Sequence, residues 1–125
     1  WKVKFNETAK IPAFANAVPE LNHNEMAGFD VSTANRELSK KFSFVILEDK
    51  YDHPKNQQRL AALAEILETR GLDVEQIQLQ GQNHWHKIFS ALMLADWTSY
   101  HLAELYGVDP EDVPIVEDFK NKIMS

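Results

Sequence analysis

The sequence predicts an α/β fold built on a parallel sheet, and three stretches carry that prediction. Phe42-Ser43-Phe44-Val45-Ile46-Leu47 is a compact apolar run rich in β-formers that ends in the polar Glu48-Asp49-Lys50, so it reads as a buried strand. Between Asn56 and Arg70, Leu60, Leu63, Ala64 and Leu67 recur at i, i+3, i+4 and i+7, and Gly71 supplies the stop, which predicts a helix. Val74, Ile77 and Leu79 then indicate a second strand closed by Gly81. A strand, a helix and a strand in that order require a parallel pair joined by a right-handed crossover. So short a sheet is unusual for an α/β domain, and its remaining strands are expected upstream of Trp1.

The other elements follow in order. Phe5, Ala9, Pro12, Ala13 and Phe14 stand loosely at helical spacing and predict a helix over Phe5 to Ala17, which Pro12 either kinks or restarts as a second turn. Pro19 breaks the chain before the polar cluster Leu21-Asn22-His23-Asn24-Glu25, where Asn24 or Asn22 caps a short helix ended by Gly28. From Trp85 to Tyr106 the stripe Trp85, Ile88, Phe89, Leu92, Ser99, Ala103, Tyr106 predicts a long, mostly buried helix. Gly107 ends it, Asp109-Pro110 opens a turn, and Val113 to Ile123 forms a last helix with Ile115, Phe119 and Ile123 on one side.

Composition narrows the function. At 125 residues and 44% apolar, the chain has material for one domain or a large part of one, without repeats, low-complexity tracts or linkers. Its 13 Lys and Arg against 19 Asp and Glu leave a charge of −6, which repels nucleic acid and anionic membranes. The same balance offers little cationic surface to a phosphate, so a phosphorylated ligand would be gripped elsewhere. Without cysteine there is no disulfide, thiolate metal site or Cys nucleophile, and a reducing compartment fits. No secretion signal opens the chain, which makes the cytoplasm the default location. The opening Trp1, without an initiator Met, points to an upstream segment.

Few residues have the chemistry for catalysis. Glu7, in Phe5-Asn6-Glu7-Thr8-Ala9-Lys10, is read near a helix start, where a carboxylate is favoured by the helix dipole whatever else it does. His23 lies in a polar loop, where histidines commonly cap or face solvent, although imidazole is eligible for acid–base work near neutral pH. Asp96 falls on the apolar stripe of the long helix and is read as a structural anchor, with Ser99 or Tyr100 as donors one turn on. His84 and His86 point to different sides of a helix start and have no ligand partner at metal spacing. His53 and His101 read as surface or packing residues.

The motifs add a resemblance. Asn6-Glu7-x-Ala9-Lys10, followed by Pro19-Glu20-Leu21-Asn22-His23-Asn24-Glu25-x-x-Gly28, resembles the paired signature of the bifunctional phosphoglucose/phosphomannose isomerases, two-domain members of the sugar isomerase (SIS) superfamily. Asp52-His53-Pro54 with Arg59, Asp96-x-x-Ser99-Tyr100-x-Leu102-Ala103, and Gly107-Val108-Asp109-Pro110 with Lys120 continue the pattern in order across nearly the whole chain. No single piece is diagnostic; their order is.

The resemblance implies an α/β, parallel-sheet, three-layer SIS-type (flavodoxin-like) domain lacking its first strand and helix. Residues 1–125 would be the C-terminal SIS portion of a two-domain cytoplasmic enzyme of glycolysis and gluconeogenesis. It further implies that glucose 6-phosphate or mannose 6-phosphate is interconverted with fructose 6-phosphate through a cis-enediolate, with neither cofactor nor metal. Glu7 matches the base that moves the proton between C2 and C1. His23 matches the ring-opening histidine, which in the family comes from the neighbouring subunit and so implies a homodimer. Lys120 matches a lysine that lines the active site; read alone, it is a cation near a helix end. The pattern departs after the Asp-Pro turn, where the family places a Thr near the substrate and this chain has Glu111-Asp112-Val113. The phosphate-binding Ser/Thr loop belongs to an upstream domain, so the segment is expected to act within a larger chain. The competing reading is a non-catalytic sugar-phosphate-binding module, for which a positioned carbon-acid base would have little use.

Overall fold

A computed structural model describes residues 1–124, which form two compact units, one of residues 16–80 and one of residues 1–15 with 81 onward. The fold is α/β with a parallel sheet, as the strand–helix–strand pattern requires.

In the 16–80 unit, β1 (Ser43–Glu48) and β2 (Asp73–Gln78) pair in parallel, with Ser43 opposite Asp73 and Glu48 opposite Gln78. Between them runs the α-helix Pro54–Thr69, whose start is fixed by Pro54 in its first turn and by His53, whose Nδ1 accepts the Lys55 amide at 3.2 Å. His53 is therefore a cap. Gly71, at φ 73°, provides the left-handed residue that lets the chain leave this helix for β2. The helix buries Leu63, Ala64 and Leu67 with Ile46 of β1 and Leu72, and Phe44, Leu60 and Val74 pack around them. Phe29 adds edge-to-face contacts with Phe42 and Phe44 at centroid separations of 5.5 and 4.7 Å.

Two expectations for this unit need correction, and one element was not foreseen. β1 is half-covered rather than buried: Ile46 is enclosed, but Val45, facing the other side of a sheet with the helix on one side, is 40% exposed. Gly28 does not end the short helix after Asn24. That turn is a 3₁₀ segment, Glu25–Phe29, running through Gly28, although Asn24 does cap it by accepting the Glu25 amide at 2.6 Å. A further short helix, Arg36–Ser39, had no periodic signal because one turn is too short to show one.

In the other unit, a first helix, α1 (Lys2–Glu7), packs against the long helix α4 (His84–Tyr106), and α5 (Pro114–Met124) follows; α2 and α3 denote Arg36–Ser39 and Pro54–Thr69. α4 ends at Gly107 as predicted, turning left-handed at φ 67°, and it begins at a cap that the sequence reading did not name: the Asn83 side chain accepts the His86 amide at 2.9 Å. Its burial is not as predicted. Lys87, Ala95, Ser99 and Ala103 are enclosed, while Trp85, Phe89 and Trp97 are 69%, 59% and 55% exposed. Helical periodicity says which side chains share a face, not what covers it, and among the described residues nothing covers the bulky half of this stripe. On α5, Ile115, Phe119 and Ile123 share a face as predicted, and it too is exposed. No helix of the described residues is long and apolar enough to cross a membrane.

Gly81 has a job that its place at the end of the β2 pattern did not reveal. A Cβ there would lie 2.6 Å from the Lys87 Cα and closer still to the Lys87 amide nitrogen, which is backbone and cannot swing aside. Gly81→Ala is expected to destabilise the protein by about 1–3 kcal/mol through overpacking at the start of α4. A urea melt showing the variant as stable as wild type would refute this.

Candidate active site

Glu7 is the last residue of α1, and its side chain is exposed. The predicted helix over Phe5 to Ala17 is corrected at both ends. α1 begins at Lys2, with Trp1 and Phe5 one turn apart and their rings 5.8 Å between centroids, and it stops where Thr8 caps it. Glu7 thus stands at the carbonyl end of a helix, where a carboxylate is disfavoured, and not at the amide end. Local helix electrostatics give no reason for a glutamate here.

The chain beyond Glu7 is held by side chains instead of helix bonds. Asn6 Nδ2 donates to the Lys2 and Ala13 carbonyls at 2.9 and 3.0 Å, and its Oδ1 accepts the Ala13 amide at 3.2 Å. This bracket supplies hydrogen bonds to a segment without regular structure. Ala9 is buried, and Lys10 adopts φ 58°. The Lys10 ammonium donates to the Glu7 carbonyl and, at 3.2 Å, to the carbonyl of Pro110. Glu7 is therefore flanked by two residues, Asn6 and Lys10, whose side chains fix the backbone that carries it. Both stand in the Asn-Glu motif, but their partners Ala13 and Pro110 could not be read from spacing.

α1 is also tied to α4. Lys4 Nζ and an Asp96 carboxylate oxygen lie 2.6 Å apart, each side chain about one-third exposed, a geometry whose net contribution is about 0.2–1 kcal/mol. Asp96 is an anchor, as expected, but through Lys4. The Ser99 hydroxyl donates to the Asp96 backbone carbonyl at 2.9 Å, the usual back-bond of a helical serine, and so does not serve the carboxylate as expected.

His23, in the other unit, follows the 3₁₀ turn Glu20–Asn22, its amide donating to the Glu20 carbonyl at 3.0 Å while the imidazole is exposed. Its neighbours form a polar lattice. Asn24 Nδ2 donates to Glu20 Oε1 at 2.7 Å, and Asn16 Nδ2 donates to Glu25 Oε1 at 2.8 Å. The loop that presents His23 is thereby fixed on both sides, while the ring itself is free to reach outward. Asn22, Met26, Phe29, Ile66, Leu67 and Arg70 contribute to a depression of about 300 Å³, which His23 does not line. Arg70 is already bonded to Asp30, at 2.8 and 3.1 Å, so this hollow has no spare cation for a phosphate.

Lys120 is exposed on α5 and donates to Glu117 Oε1 at 2.7 Å, one turn back. The helix runs on to Met124, so its last-turn cation is Lys122. Among the described residues no group of three or more His, Cys, Asp or Glu is placed to hold a metal ion. His86 instead accepts the Gln82 amide at 3.2 Å.

Comparison with known proteins gives these residues a family setting. Residues 1–123 match the model of the bacterial phospho-glucose isomerase C-terminal SIS domain. Proteins named bifunctional phosphoglucose/phosphomannose isomerase are similar over 98% of the chain: one from Aquifex aeolicus at 35% identity and one from Thermoplasma volcanium at 32%. The chain spans only 37% and 38% of their lengths. A solved structure of a glucose-6-phosphate isomerase like protein from Thermus thermophilus superposes with a TM-score of 0.68 at 26% identity, covering 90% of this chain and 36% of that one. The chain belongs to the bacterial phospho-glucose isomerase C-terminal SIS domain family.

Proposed function

We propose that the polypeptide containing this segment interconverts glucose 6-phosphate or mannose 6-phosphate with fructose 6-phosphate, with residues 1–125 forming the C-terminal SIS portion of a two-domain cytoplasmic enzyme. The observation that carries this reading is the match of 98% of the chain to relatives named bifunctional phosphoglucose/phosphomannose isomerase, with Glu7 and His23 inside the ordered motifs. A second support is physical: a glutamate kept at the disfavoured end of α1, on a backbone bracketed by Asn6 and Lys10, suits a positioned base better than a surface charge.

In this mechanism the Glu7 carboxylate removes the proton from C2 of the open-chain aldose, a proton passes from O2 to O1 of the enediolate, and Glu7 returns its proton to C1, giving the ketose. The step is reversible and leaves Glu7 unchanged. Before it, His23 of a neighbouring subunit moves a proton from the C1 hydroxyl to the ring oxygen, which opens the pyranose. Lys120 lines the same pocket, where an ammonium stabilises developing negative charge on the enediolate oxygens. The phosphate is held by groups outside this acidic segment.

A coupled assay of the whole polypeptide on both hexose phosphates tests the reading. Turnover of neither would leave the non-catalytic sugar-phosphate-binding module as the better account. His23→Ala separates the two proton transfers: turnover of cyclic substrate is expected to fall about 10²-fold or more, while open-chain substrate is less affected. Equal losses on both forms would remove His23 from ring opening.

A further inference from the structure

We propose that Lys10 is a positioning residue for Glu7: its ammonium clips the carbonyl end of α1 to the Asp109-Pro110 turn and so fixes where the Glu7 carboxylate stands. The inference rests on Glu7 being the carbon-acid base.

Three observations meet at this residue. Lys10 has φ 58°, the left-handed region, which is uncommon for a side chain with a Cβ and natural for glycine or asparagine. On backbone grounds a lysine is a poor choice at this position. Its side chain, partly buried, donates to two backbone carbonyls, one belonging to Glu7 itself and one to Pro110, a hundred positions away. The Glu7 carbonyl is among those left without a partner by the end of α1, and a cation is the group best suited to occupy it.

Residues in sparsely populated conformations persist where the surroundings need them, and here the need is identifiable. Asn6 bonds Ala13 and therefore secures the chain on the near side of Glu7, but it does not reach the Pro110 turn. The Lys10 ammonium is the group that joins the backbone of Glu7 to that turn. Losing it leaves Glu7 present but loosely held, and small misplacements of a reacting group are costly to rate.

The backbone preference makes the test sharp. Lys10→Gly relieves the left-handed conformation while deleting the clip, so a lysine serving only the turn and a lysine serving Glu7 give opposite results. In the whole polypeptide, kcat of Lys10→Gly for fructose 6-phosphate is expected to fall by about ten- to a hundredfold with KM within about twofold, while Tm stays level or rises. Lys10→Arg, which keeps donors and charge, is expected to recover part of kcat, and Lys10→Met to recover none. Wild-type kcat in Lys10→Gly would overturn the proposal, as would a loss of kcat accompanied by a fall in Tm of several degrees. Glu7→Gln measured alongside keeps the two claims apart. If it retains C2 proton exchange, the assignment of Glu7 fails; if it loses exchange while Lys10→Gly is fully active, only the role of Lys10 fails.

Discussion

Glu7→Gln, in the whole polypeptide, is expected to lower turnover of either aldose phosphate by about 10²- to 10⁴-fold, the range a positioned general base contributes. The amide is isosteric with the carboxylate but cannot accept the proton from C2. Because the Glu7 side chain is exposed, the substitution leaves no cavity and strips no enclosed partner, so Tm should move little. The diagnostic signal is isotopic. In deuterated water the wild-type enzyme should exchange the C2 proton during turnover, and Glu7→Gln should not. KM is expected to be nearly unchanged, since phosphate and hydroxyl contacts lie elsewhere on the sugar. A variant that exchanges and turns over like wild type would return Glu7 to the ordinary surface carboxylates.

The second large effect is on stability. Leu67 is 1% exposed, on the face of α3 that it shares with Leu63 and Ala64 and that packs with Ile46 and Leu72. Leu67→Ala is expected to cost about 2–5 kcal/mol, combining lost burial with the cavity left beneath the sheet. That is a large share of the stability of any domain of this size. Ile66, next to it, is only partly buried, so Ile66→Ala should cost distinctly less. Chemical denaturation of the two variants checks the ranking, and equal losses would contradict the account of where the core lies.

The sequence exposed what local spacing determines. β1, α3 and β2 were legible because strand composition, an i, i+3, i+4 stripe and Gly71 all act within a few residues of one another. The C-terminal end of α4 was legible for the same reason, since Gly107 stops it, whereas its Asn83 cap went unread. α1 was misjudged because Phe5, Ala9 and Ala13 fall at helical spacing although the chain leaves the helix at Thr8. What stops it there is Asn6 bonding Ala13 and Lys10 turning left-handed toward Pro110, interactions that no window of residues displays. The partner of Asp96 was missed likewise, because Lys4 lies ninety-two positions earlier.

The surroundings of the candidate residues show the same division. That Glu7 and His23 matter was suggested by motifs; that Glu7 sits at the unfavourable end of its helix, and that Asn24 and Asn16 brace the loop carrying His23, required the three-dimensional fold. α4 carries the complementary lesson. Its sequence is apolar nearly all round, a pattern of helices enclosed within larger proteins, yet Trp85, Phe89 and Trp97 are open among the described residues.

The most direct test of Glu7 as the base is a structure of the whole polypeptide with fructose 6-phosphate bound in its open-chain form. The account predicts a Glu7 carboxylate oxygen about 3–3.5 Å from C1 and C2, with His23 of a second subunit beside the C1 oxygen. A sugar bound with its C1–C2 bond beyond the reach of Glu7, or with another carboxylate at that bond, would contradict it.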